Sequence, residues 1–400
     1  MNPFDDELNQ RLEILREQGL CRELRRVDSA QGPQIKIGGK TFLNFSSNDY
    51  LGLANHLLLK EAAIKAVEKF GAGAGASRLI CGSLAPFHEL EETLADFKNT
   101  EAALTFSTGY AAAIGTICAL LGKNDIVIID KLVHASIVDA AKLSGAKLRV
   151  FDHNDLDDLE KILRWSSSFS LSGNTLKLEL QPSVLIVTES VFSMDGDSAP
   201  LREIVALKNT YGAWLMVDEA HATGLYGKNR RGRAEELGVS NQIEIQMGTL
   251  GKALGSSGGY ICGSRVLIDF LVNSARSFIF STAPVPAAAA AATAAIRLVR
   301  SPEGEVRRKR LWSHFSKFQS QILNLKSQIQ SAIIPLIIGD EAKAVEASSR
   351  LRAQNIFIPA IRYPTVARGQ ARLRVTITAA HKPEDIAQLT RALETLDIGL

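Results

Sequence analysis

One lysine stands among small residues in the segment Gly248–Gly255, whose sequence is GTLGKALG. Lys252 follows the apolar run Ile243–Met247, which predicts a buried strand that ends just before it. The small neighbours leave room for a planar aromatic molecule to lie against this lysine. A lysine whose amine is activated by its surroundings can bind an aldehyde covalently as a Schiff base. Most lysines are solvated surface groups, so this chemistry depends on which groups the rest of the chain places beside Lys252.

A carboxylate and an imidazole follow a second apolar run, Ala213–Val217. Asp218 comes directly after this predicted strand, and His221 follows three residues later. The carboxyl ends of buried parallel strands form the crevice in which such sheets bind ligands. There Asp218 can keep a pyridine nitrogen protonated, which makes the ring an electron sink, and His221 can donate to a phenolic oxygen of that ring. The alternative is that Asp218 caps the following turn and that His221 only packs.

Three more predicted strands also end in polar residues. Gly109 and Tyr110 open a predicted helix, whose first amides suit a phosphate, although such loops also occur without a ligand. His134 follows the second strand, where a lone histidine is more often a capping or core residue. Glu189 and Ser193 follow the third. Because the carboxyl ends of parallel strands lie on one edge of a sheet, these candidates are expected to converge with the two groups described above.

The elements that must position these residues alternate between helix and strand. Apolar runs such as Val184–Val187 lack any polar alternation, which indicates strands covered on both faces. The pattern predicts an α/β fold with a mostly parallel central sheet and helices on both faces. The predicted strands are Ala102–Phe106, Asp125–Ile129, Lys147–Phe151, Ser183–Thr188, Ala213–Val217, Ile243–Met247 and Gly259–Cys262.

The chain of 400 residues is long for a single core, and three parts are predicted. Residues 1–45 carry an amphipathic helix and a hairpin, and residues 46–284 form the large domain with the central sheet. Residues 285–400 form a smaller α+β domain of helices and short strands. The Ser/Gly/Asn-rich segment Ser166–Pro182 interrupts the large domain and predicts a surface loop.

Composition excludes several classes of function. A hydrophobic content of 46% and a charged content of 22% are typical of globular proteins, and a net charge of +3 gives no indication of a nucleic-acid or membrane partner. The four cysteines show no CxxC spacing, which predicts free thiols in a reducing compartment, and the other histidines lack metal-ligand spacing. Gly71–Ala76 follows a predicted helix, not a strand, so it is not a dinucleotide loop. A cytoplasmic enzyme without a metal is therefore expected.

Seven segments together resemble the α-oxoamine synthases, which are pyridoxal-phosphate enzymes of fold type I. The resemblance extends from about residue 20 to the end of the chain. It is greatest to the branch that condenses L-alanine with a pimeloyl thioester in biotin synthesis. The matching segments are LNFSSNDYLGL (43–53), STGY (107–110), HASIVDAAKLSGA (134–146), TESVFSMDGDSAPL (188–201), VDEAHATG (217–224), GTLGKALG (248–255) and AIRYPTV (360–366).

This resemblance assigns eight residues to pyridoxal 5'-phosphate. Lys252 would bind the aldehyde and act as the base, Asp218 would pair with the ring nitrogen, and His134 would stack on the ring. The remaining contacts would be with the ring oxygen, from Ser193 and His221, and with the phosphate, from Gly109, Tyr110 and Thr249.

The same resemblance implies the substrate contacts. Asn48 and Arg362 would bind the carboxylate of the amino acid, for which the forked guanidinium is suited. Arg22 and Thr365 match positions that contact the acyl substrate, which arrives on coenzyme A or on an acyl carrier protein. Ser281–Thr282 resembles a segment that reaches the phosphate of a neighbouring subunit, so a homodimer with active sites at the subunit interface is expected.

Two alternatives and two departures accompany this assignment. Sister enzymes use glycine or serine with other acyl thioesters, but Ala140–Ala141 favours the alanine branch by resemblance. A catalytically silent partner subunit typically lacks the lysine that is present here as Lys252. Phe87 stands where the family usually has a histidine, and Ser166–Pro182 looks like an insertion.

Overall fold

A computed structural model describes residues 2–171, 182–322 and 331–396. The chain divides into two compact units. One comprises Met1–Gly52, Met194–Gly196 and Lys309–Leu400, and the other comprises Leu53–Ser193 and Asp197–Arg308. The three-part domain division expected from the sequence remains a prediction.

The described residues contain both helices and strands along the whole chain. The helices are α1 (Pro3–Glu17), α2 (Leu57–Phe70), α3 (Ala85–Lys98), α4 (Gly109–Leu120), α5 (Ala135–Leu143), α6 (Leu156–Leu171), α7 (Leu201–Tyr211), α8 (Arg233–Glu236), α9 (Arg265–Ser274), α10 (Arg276–Ile279), α11 (Pro286–Arg300), α12 (Pro302–Gln321), α13 (Glu341–Ala353) and α14 (Pro383–Glu394), with a 3₁₀ turn at Ser240–Gln242. The strands are β1 (Gln34–Ile37), β2 (Lys40–Asn44), β3 (Ala102–Phe106), β4 (Ile126–Asp130), β5 (Lys147–Phe151), β6 (Val184–Glu189), β7 (Trp214–Asp218), β8 (Ile245–Thr249), β9 (Gly259–Gly263), β10 (Ile333–Gly339), β11 (Ile356–Phe357), β12 (Ala360–Ile361) and β13 (Ala371–Thr376).

A seven-stranded sheet forms the centre of the larger unit, in the order β3-β9-β8-β7-β6-β4-β5. Strands β8, β7, β6, β4 and β5 pair in parallel, whereas β9 pairs antiparallel with both β3 and β8. All five residues of β3, β4 and β9 are buried, so both faces of the sheet are covered. The predicted mostly parallel sheet is confirmed, and its parallel strands all bring their carboxyl ends to one edge.

Helix α11 shows how small residues allow close packing in this unit. It is largely alanine, and it packs against α2 and α3. On its exposed side, Arg297 pairs with Glu89 and Arg300 pairs with Asp96. Across the three described ranges, no helix combines the length and the apolar character needed to cross a membrane.

The smaller unit contains two three-stranded sheets. In one, β2 pairs antiparallel with β1 and parallel with β11. In the other, β13 lies between β10 and β12 and is antiparallel to both. Every residue of β13 is buried, including two arginines, Arg372 and Arg374. A fully buried strand that carries two guanidinium groups requires partners for both of them.

Two parts of the larger unit differ from the sequence prediction. Helix α6 continues to Leu171, through the first residues of the predicted loop Ser166–Pro182; residues 172–181 lie outside the described ranges. The Ser166 hydroxyl donates to the Ile162 carbonyl oxygen at 2.8 Å, which lets a serine remain inside a helix. Helix α9 was not predicted, although Ser264 accepts a hydrogen bond from the amide of Leu267 as its N-cap.

Candidate active site

Lys252 lies in the turn that follows β8, and its Nζ is 2.9 Å from Nε2 of His221. The glycines around it serve packing as well as space. A Cβ at Gly248 would lie 2.3 Å from the Tyr260 hydroxyl. Gly255 has φ of +61°, and a Cβ there would lie 2.6 Å from the backbone carbonyl carbon of Leu53 and from the backbone nitrogen of Ala54. The turn that carries Lys252 therefore requires glycine for its own geometry.

Asp218 ends β7 and is 6% exposed. Its Oδ1 accepts a hydrogen bond from the amide of Ala220 at 2.8 Å, so it does cap the following turn. Burial raises the pKa of Asp218, and the positive charge of Lys252 acts in the opposite direction. A carboxylate in this position is stabilised by any further cation brought beside it. Asp218 therefore caps the turn and also interacts electrostatically with Lys252.

Glu189 ends the neighbouring strand β6 and lies opposite Asp218 in the β6–β7 register. It is 2% exposed, and it accepts a hydrogen bond from the backbone amide of His134 at 2.5 Å. Burial, with the charge of Asp218, raises the pKa of Glu189 to about 8. The raised pKa favours the protonated form of Glu189, so the two interacting carboxyl groups together carry less than their full negative charge near neutral pH. Glu189 was predicted from the sequence as a strand-end candidate, but no role was predicted for it.

His134 is the N-cap of α5, and its Nδ1 accepts a hydrogen bond from the amide of Ser136 at 3.2 Å. A backbone amide can only donate, so Nδ1 carries no proton and the neutral ring carries its proton on Nε2. Burial lowers the pKa of His134, which favours the same neutral form. A neutral, flat imidazole of fixed tautomer is suited to lie against an aromatic ring. The capping role and the stacking role are compatible.

Helix α4 begins at the predicted phosphate position. Thr108 is its N-cap, and the Thr108 hydroxyl accepts a hydrogen bond from the amide of Ala111 at 3.0 Å. The first amides of a helix, here those of Gly109 and Tyr110, have no acceptor within the helix and attract anions. The Tyr110 side chain is half-exposed, and its hydroxyl donates to Asp139 at 2.6 Å.

Thr249 lies beside the start of this helix. A Cβ added to Gly109 would be 3.8 Å from Cβ of Thr249, so the two residues are neighbours. The Thr249 hydroxyl donates to the Gly258 carbonyl oxygen at 2.9 Å. Gly259 must lack a side chain, because its Cβ would lie 2.6 Å from Cα of Gly109. Close approach of β9 thus holds the first turn of α4 against the end of β8.

Ser193 lies in the loop between β6 and α7. A bridge between Val191 and Ser198 closes this loop on both sides of it. Ser193 belongs to the same compact unit as Lys252 and Asp218. The loop follows the same edge of the sheet as the other candidates, because β6 is parallel to β7.

These groups fit the cofactor that the resemblance implies. A buried carboxylate at Asp218 suits a protonated ring nitrogen, and the neutral ring of His134 suits the ring face. The first amides of α4 suit a phosphate, and Lys252 supplies a primary amine. Electrostatic interaction links Lys252, Asp218 and His134. All lie at strand ends or helix starts within one unit.

All four substrate candidates belong to the smaller unit, and three of them lie together. Arg22 donates to the Tyr363 carbonyl oxygen at 3.3 Å, and Arg362 donates to the Gly19 carbonyl oxygen. The amide of Thr365 donates to the Arg362 carbonyl oxygen at 3.0 Å. These contacts join the segment after α1 to the segment after β12.

Asn48 has a different arginine as its partner. Its Oδ1 accepts hydrogen bonds from Arg374 at 3.1 Å and from the Tyr50 hydroxyl at 3.3 Å. Both bonds go to the oxygen, so the amide nitrogen keeps its two N–H donors for another acceptor. The sequence analysis missed Arg374. Its signal was the spacing of Arg372 and Arg374 on one face of an otherwise apolar strand.

Comparison with known proteins gives the same family throughout. The family model for aminotransferase class I and II matches residues 40–393. The chain is 46% identical to the 8-amino-7-oxononanoate synthase of Geotalea daltonii, over 98% of this chain and 97% of that protein. It is 42% identical to 8-amino-7-oxononanoate synthase 1 of Bacillus velezensis, over 97% and 96%.

Two solved structures show how far the fold agrees. A serine palmitoyltransferase from S. paucimobilis, described with bound PLP and myriocin, has a TM-score of 0.88 at 31% identity, over 98% of this chain and 96% of that chain. An 8-amino-7-oxononanoate synthase from Francisella tularensis has a TM-score of 0.72 at 29% identity, over 88% and 96%. The predicted fold type I, the pyridoxal 5'-phosphate cofactor and the resemblance to the α-oxoamine synthases are confirmed. The chain belongs to the aminotransferase class I and II family.

Proposed function

We propose that this enzyme condenses L-alanine with a pimeloyl thioester, with loss of carbon dioxide, and forms 8-amino-7-oxononanoate and a free thiol carrier in biotin synthesis. The observation that carries the proposal is 42–46% identity, over nearly the whole chain, to relatives named 8-amino-7-oxononanoate synthase. The placement of Lys252 beside His221, at the strand ends that also carry Asp218 and His134, supports it.

Each residue at the strand ends has a defined task in this proposal. Bound pyridoxal phosphate supplies an electron sink for the electron pair left on the α-carbon of alanine. Lys252 would hold the cofactor through its aldehyde, and its amine would accept the α-proton of alanine. His221 holds Nζ of Lys252 in place by a hydrogen bond. Asp218 would hold the protonated ring nitrogen, and His134 would lie against the ring face.

Other residues supply the proposed substrate contacts. Arg362 and the amide nitrogen of Asn48 bind the carboxylate of alanine, and Arg374 orients that amide by holding its oxygen. Arg22 and Thr365 contact the acyl chain. The thiol carrier is coenzyme A or an acyl carrier protein.

A sister reaction of serine with a palmitoyl thioester is the second candidate. The TM-score of 0.88 to serine palmitoyltransferase favours this candidate. Sequence identity favours alanine and the pimeloyl group, because it is 46% to an 8-amino-7-oxononanoate synthase and 31% to the serine palmitoyltransferase. We give sequence identity more weight, because sister enzymes share a fold while substrate choice depends on side chains. Ala140 and Ala141 are fully buried, so they act through packing and not through direct contact.

A matrix of substrates tests the proposal. The enzyme loaded with pyridoxal phosphate is assayed with alanine, glycine or serine, each combined with pimeloyl, acetyl, succinyl or palmitoyl thioester. Each acyl group is offered on coenzyme A and on acyl carrier protein. We expect the highest kcat/KM for alanine with a pimeloyl thioester. Faster turnover of serine with a palmitoyl thioester would replace the proposal with its alternative.

We also propose a homodimer with active sites at the subunit interface. Four exposed apolar side chains lie in two segments that the Ser77–Thr282 bridge joins. An apolar cluster of this kind is typical of a protein–protein interface. They are Leu79 (50% exposed), Ile80 (79%), Phe280 (69%) and Val285 (48%).

Sedimentation velocity tests the dimer. The double variant Ile80→Glu with Phe280→Glu should sediment as a monomer and lose activity. Val150→Glu is the control, because Val150 is also 48% exposed but lies on the edge strand β5. A double variant that stays dimeric would rule out this surface as the interface.

A cytoplasmic location is the last part of the proposal. All four cysteines, Cys21, Cys81, Cys118 and Cys262, are free thiols, which supports a reducing compartment. Fractionation of cells with an antibody against the protein tests this. Recovery with a secreted or membrane fraction would contradict it.

A further inference from the structure

A histidine outside the predicted site joins two carboxylates from different loops. His153 follows β5, and its Nδ1 is 2.9 Å from Oδ1 of Asp130. Its Nε2 is 2.7 Å from Oδ2 of Asp197. Carboxylate oxygens accept hydrogen bonds, so both ring nitrogens donate and the ring is an imidazolium. Asp130 is fully buried, and the His153 side chain is 22% exposed.

The surroundings of His153 keep it charged. Partial burial lowers its pKa, but hydrogen bonds to Asp130 and Asp197 outweigh burial and raise the pKa of His153 to about 10. The other charged groups nearby, Lys131 and Asp152, pair with each other at 2.9 Å on the surface. His153 therefore carries a positive charge at every pH at which the enzyme would work.

On one side, the cluster determines the course of the segment that leads to His134. Oδ1 of Asp130 also accepts a hydrogen bond from the amide of Leu132 at 2.8 Å. Oδ2 of Asp130 accepts one from the amide of Asn154 at 3.0 Å. The segment then ends at His134, whose amide donates to Glu189. The orientation of the His134 ring thus depends on a carboxylate that His153 holds.

On the other side, the cluster fixes the loop that contains Ser193. The side-chain nitrogen of Asn154 donates to Oδ2 of Asp197 at 3.2 Å and to the Ser198 carbonyl oxygen at 3.3 Å. The amide of Phe192 donates to the Asp197 carbonyl oxygen at 3.0 Å, directly before Ser193. The ring edge of Phe192 also packs against His153, with 4.4 Å between ring centres.

We propose that His153 is a positioning residue for the cofactor site, because its imidazolium binds Asp130 and Asp197 and so fixes both loops that carry His134 and Ser193. The inference rests on the cofactor contacts that the proposed function gives to those two residues. His153 itself acts only through the two carboxylates.

His153→Gln tests this, because glutamine keeps polar contacts but cannot carry the charge. Cofactor-free protein is titrated with pyridoxal phosphate, and binding is followed by absorbance. The variant should bind about tenfold more weakly, as expected when positioning groups are displaced. His56→Gln is the matched control, since His56 also pairs with a carboxylate, Glu303 at 3.2 Å, through a side chain that is 16% exposed. Its affinity should stay within about twofold of wild type.

A pH profile separates the charged cluster from an ordinary structural contact. The folded pKa of about 10 lies above the ordinary value of 6.5, so the stabilisation is complete below pH 6.5 and is lost as pH rises through 10. The Tm difference between wild type and His153→Gln should therefore be largest near pH 6 and should decrease as the pH approaches 10. A structural contact without charge would give the same difference at every pH.

Asp197→Asn provides a second variant if His153→Gln does not fold. It keeps the imidazole but removes one charged partner, and it should also weaken cofactor binding. Unchanged cofactor affinity in a folded variant would overturn the proposal. Weaker cofactor binding combined with a wild type that does not use alanine and pimeloyl thioester would leave His153 as a positioning residue and overturn the proposed function alone.

Discussion

At the scale of single residues, the strand ends place two carboxyl groups side by side. Asp218 and Glu189 face each other across the β6–β7 register, and both are buried. Lys252 and the amide of His134 offset part of the negative charge. The raised pKa of Glu189 makes the charge of this pair depend on pH.

Glu189→Gln tests this protonation. The pKa of about 8 in the folded protein exceeds the ordinary value of 4.5, so wild type loses stability as pH rises from 4.5 to 8. Glutamine does not titrate, so the variant's Tm should not fall with pH for this reason. The Tm of the cofactor-free variant minus that of cofactor-free wild type should therefore be about 2–4 °C larger at pH 8.5 than at pH 5. Thermal unfolding at both pH values measures it. An equal difference at both would contradict a protonated Glu189.

Arg374 supports a second prediction at this scale. Arg374→Gln releases the oxygen of Asn48, so the amide no longer presents its N–H donors in one direction. We expect KM for alanine to rise about tenfold, while KM for the pimeloyl thioester changes little. Arg352→Gln on the exposed face of α13 is the control. Equal effects on both KM values would show that Arg374 has a general structural role.

At the scale of elements, an ion pair ties α3 to the turn after β7. Lys98 Nζ lies 2.5 Å from Glu219 Oε2, and neither side chain is more than 1% exposed. The other oxygen of Glu219 accepts a hydrogen bond from the amide of Ala234 at 2.8 Å. Glu219 follows Asp218 directly, so this pair holds the strand end that carries the candidate site.

Lys98→Met should therefore be strongly destabilising. It leaves the carboxylate of Glu219 buried without its cation, which costs about 3–5 kcal/mol. Lys131→Met is the control, because Lys131 is 62% exposed and its pair with Asp152 contributes about 0–1 kcal/mol. Urea denaturation measures both variants. A loss below 1 kcal/mol for Lys98→Met would show that the turn accommodates the free carboxylate.

The elements also show what the sequence could predict. Apolar runs end at polar residues, so the end of β7 at Asp218 was predictable to within one residue from local pattern. Strand β8 ends at Thr249, two residues beyond the predicted end at Met247. The pairing of Asn48 with Arg374 joins residues 326 positions apart, and no local pattern encodes it. The contact of Glu189 with His134 depends on which strands are neighbours. Register and pairing across the chain therefore had to come from the structure.

At the scale of the whole molecule, the candidate cofactor residues lie along one edge of the central sheet. Five parallel strands direct their carboxyl ends to that edge, and β9 brings the start of α4 to the same place. The topology explains why the cofactor candidates, from distant segments of the sequence, lie in one unit. Lys252 is the residue on which the chemistry of the whole arrangement depends.

The most direct test identifies the lysine that binds the cofactor. The enzyme loaded with pyridoxal phosphate is reduced with borohydride, digested, and its peptides are analysed by mass spectrometry. We expect the pyridoxyl adduct on the peptide that contains Lys252, and we expect Lys252→Ala to carry none while remaining folded. An adduct on a different lysine, or an adduct that persists in Lys252→Ala, would contradict the account.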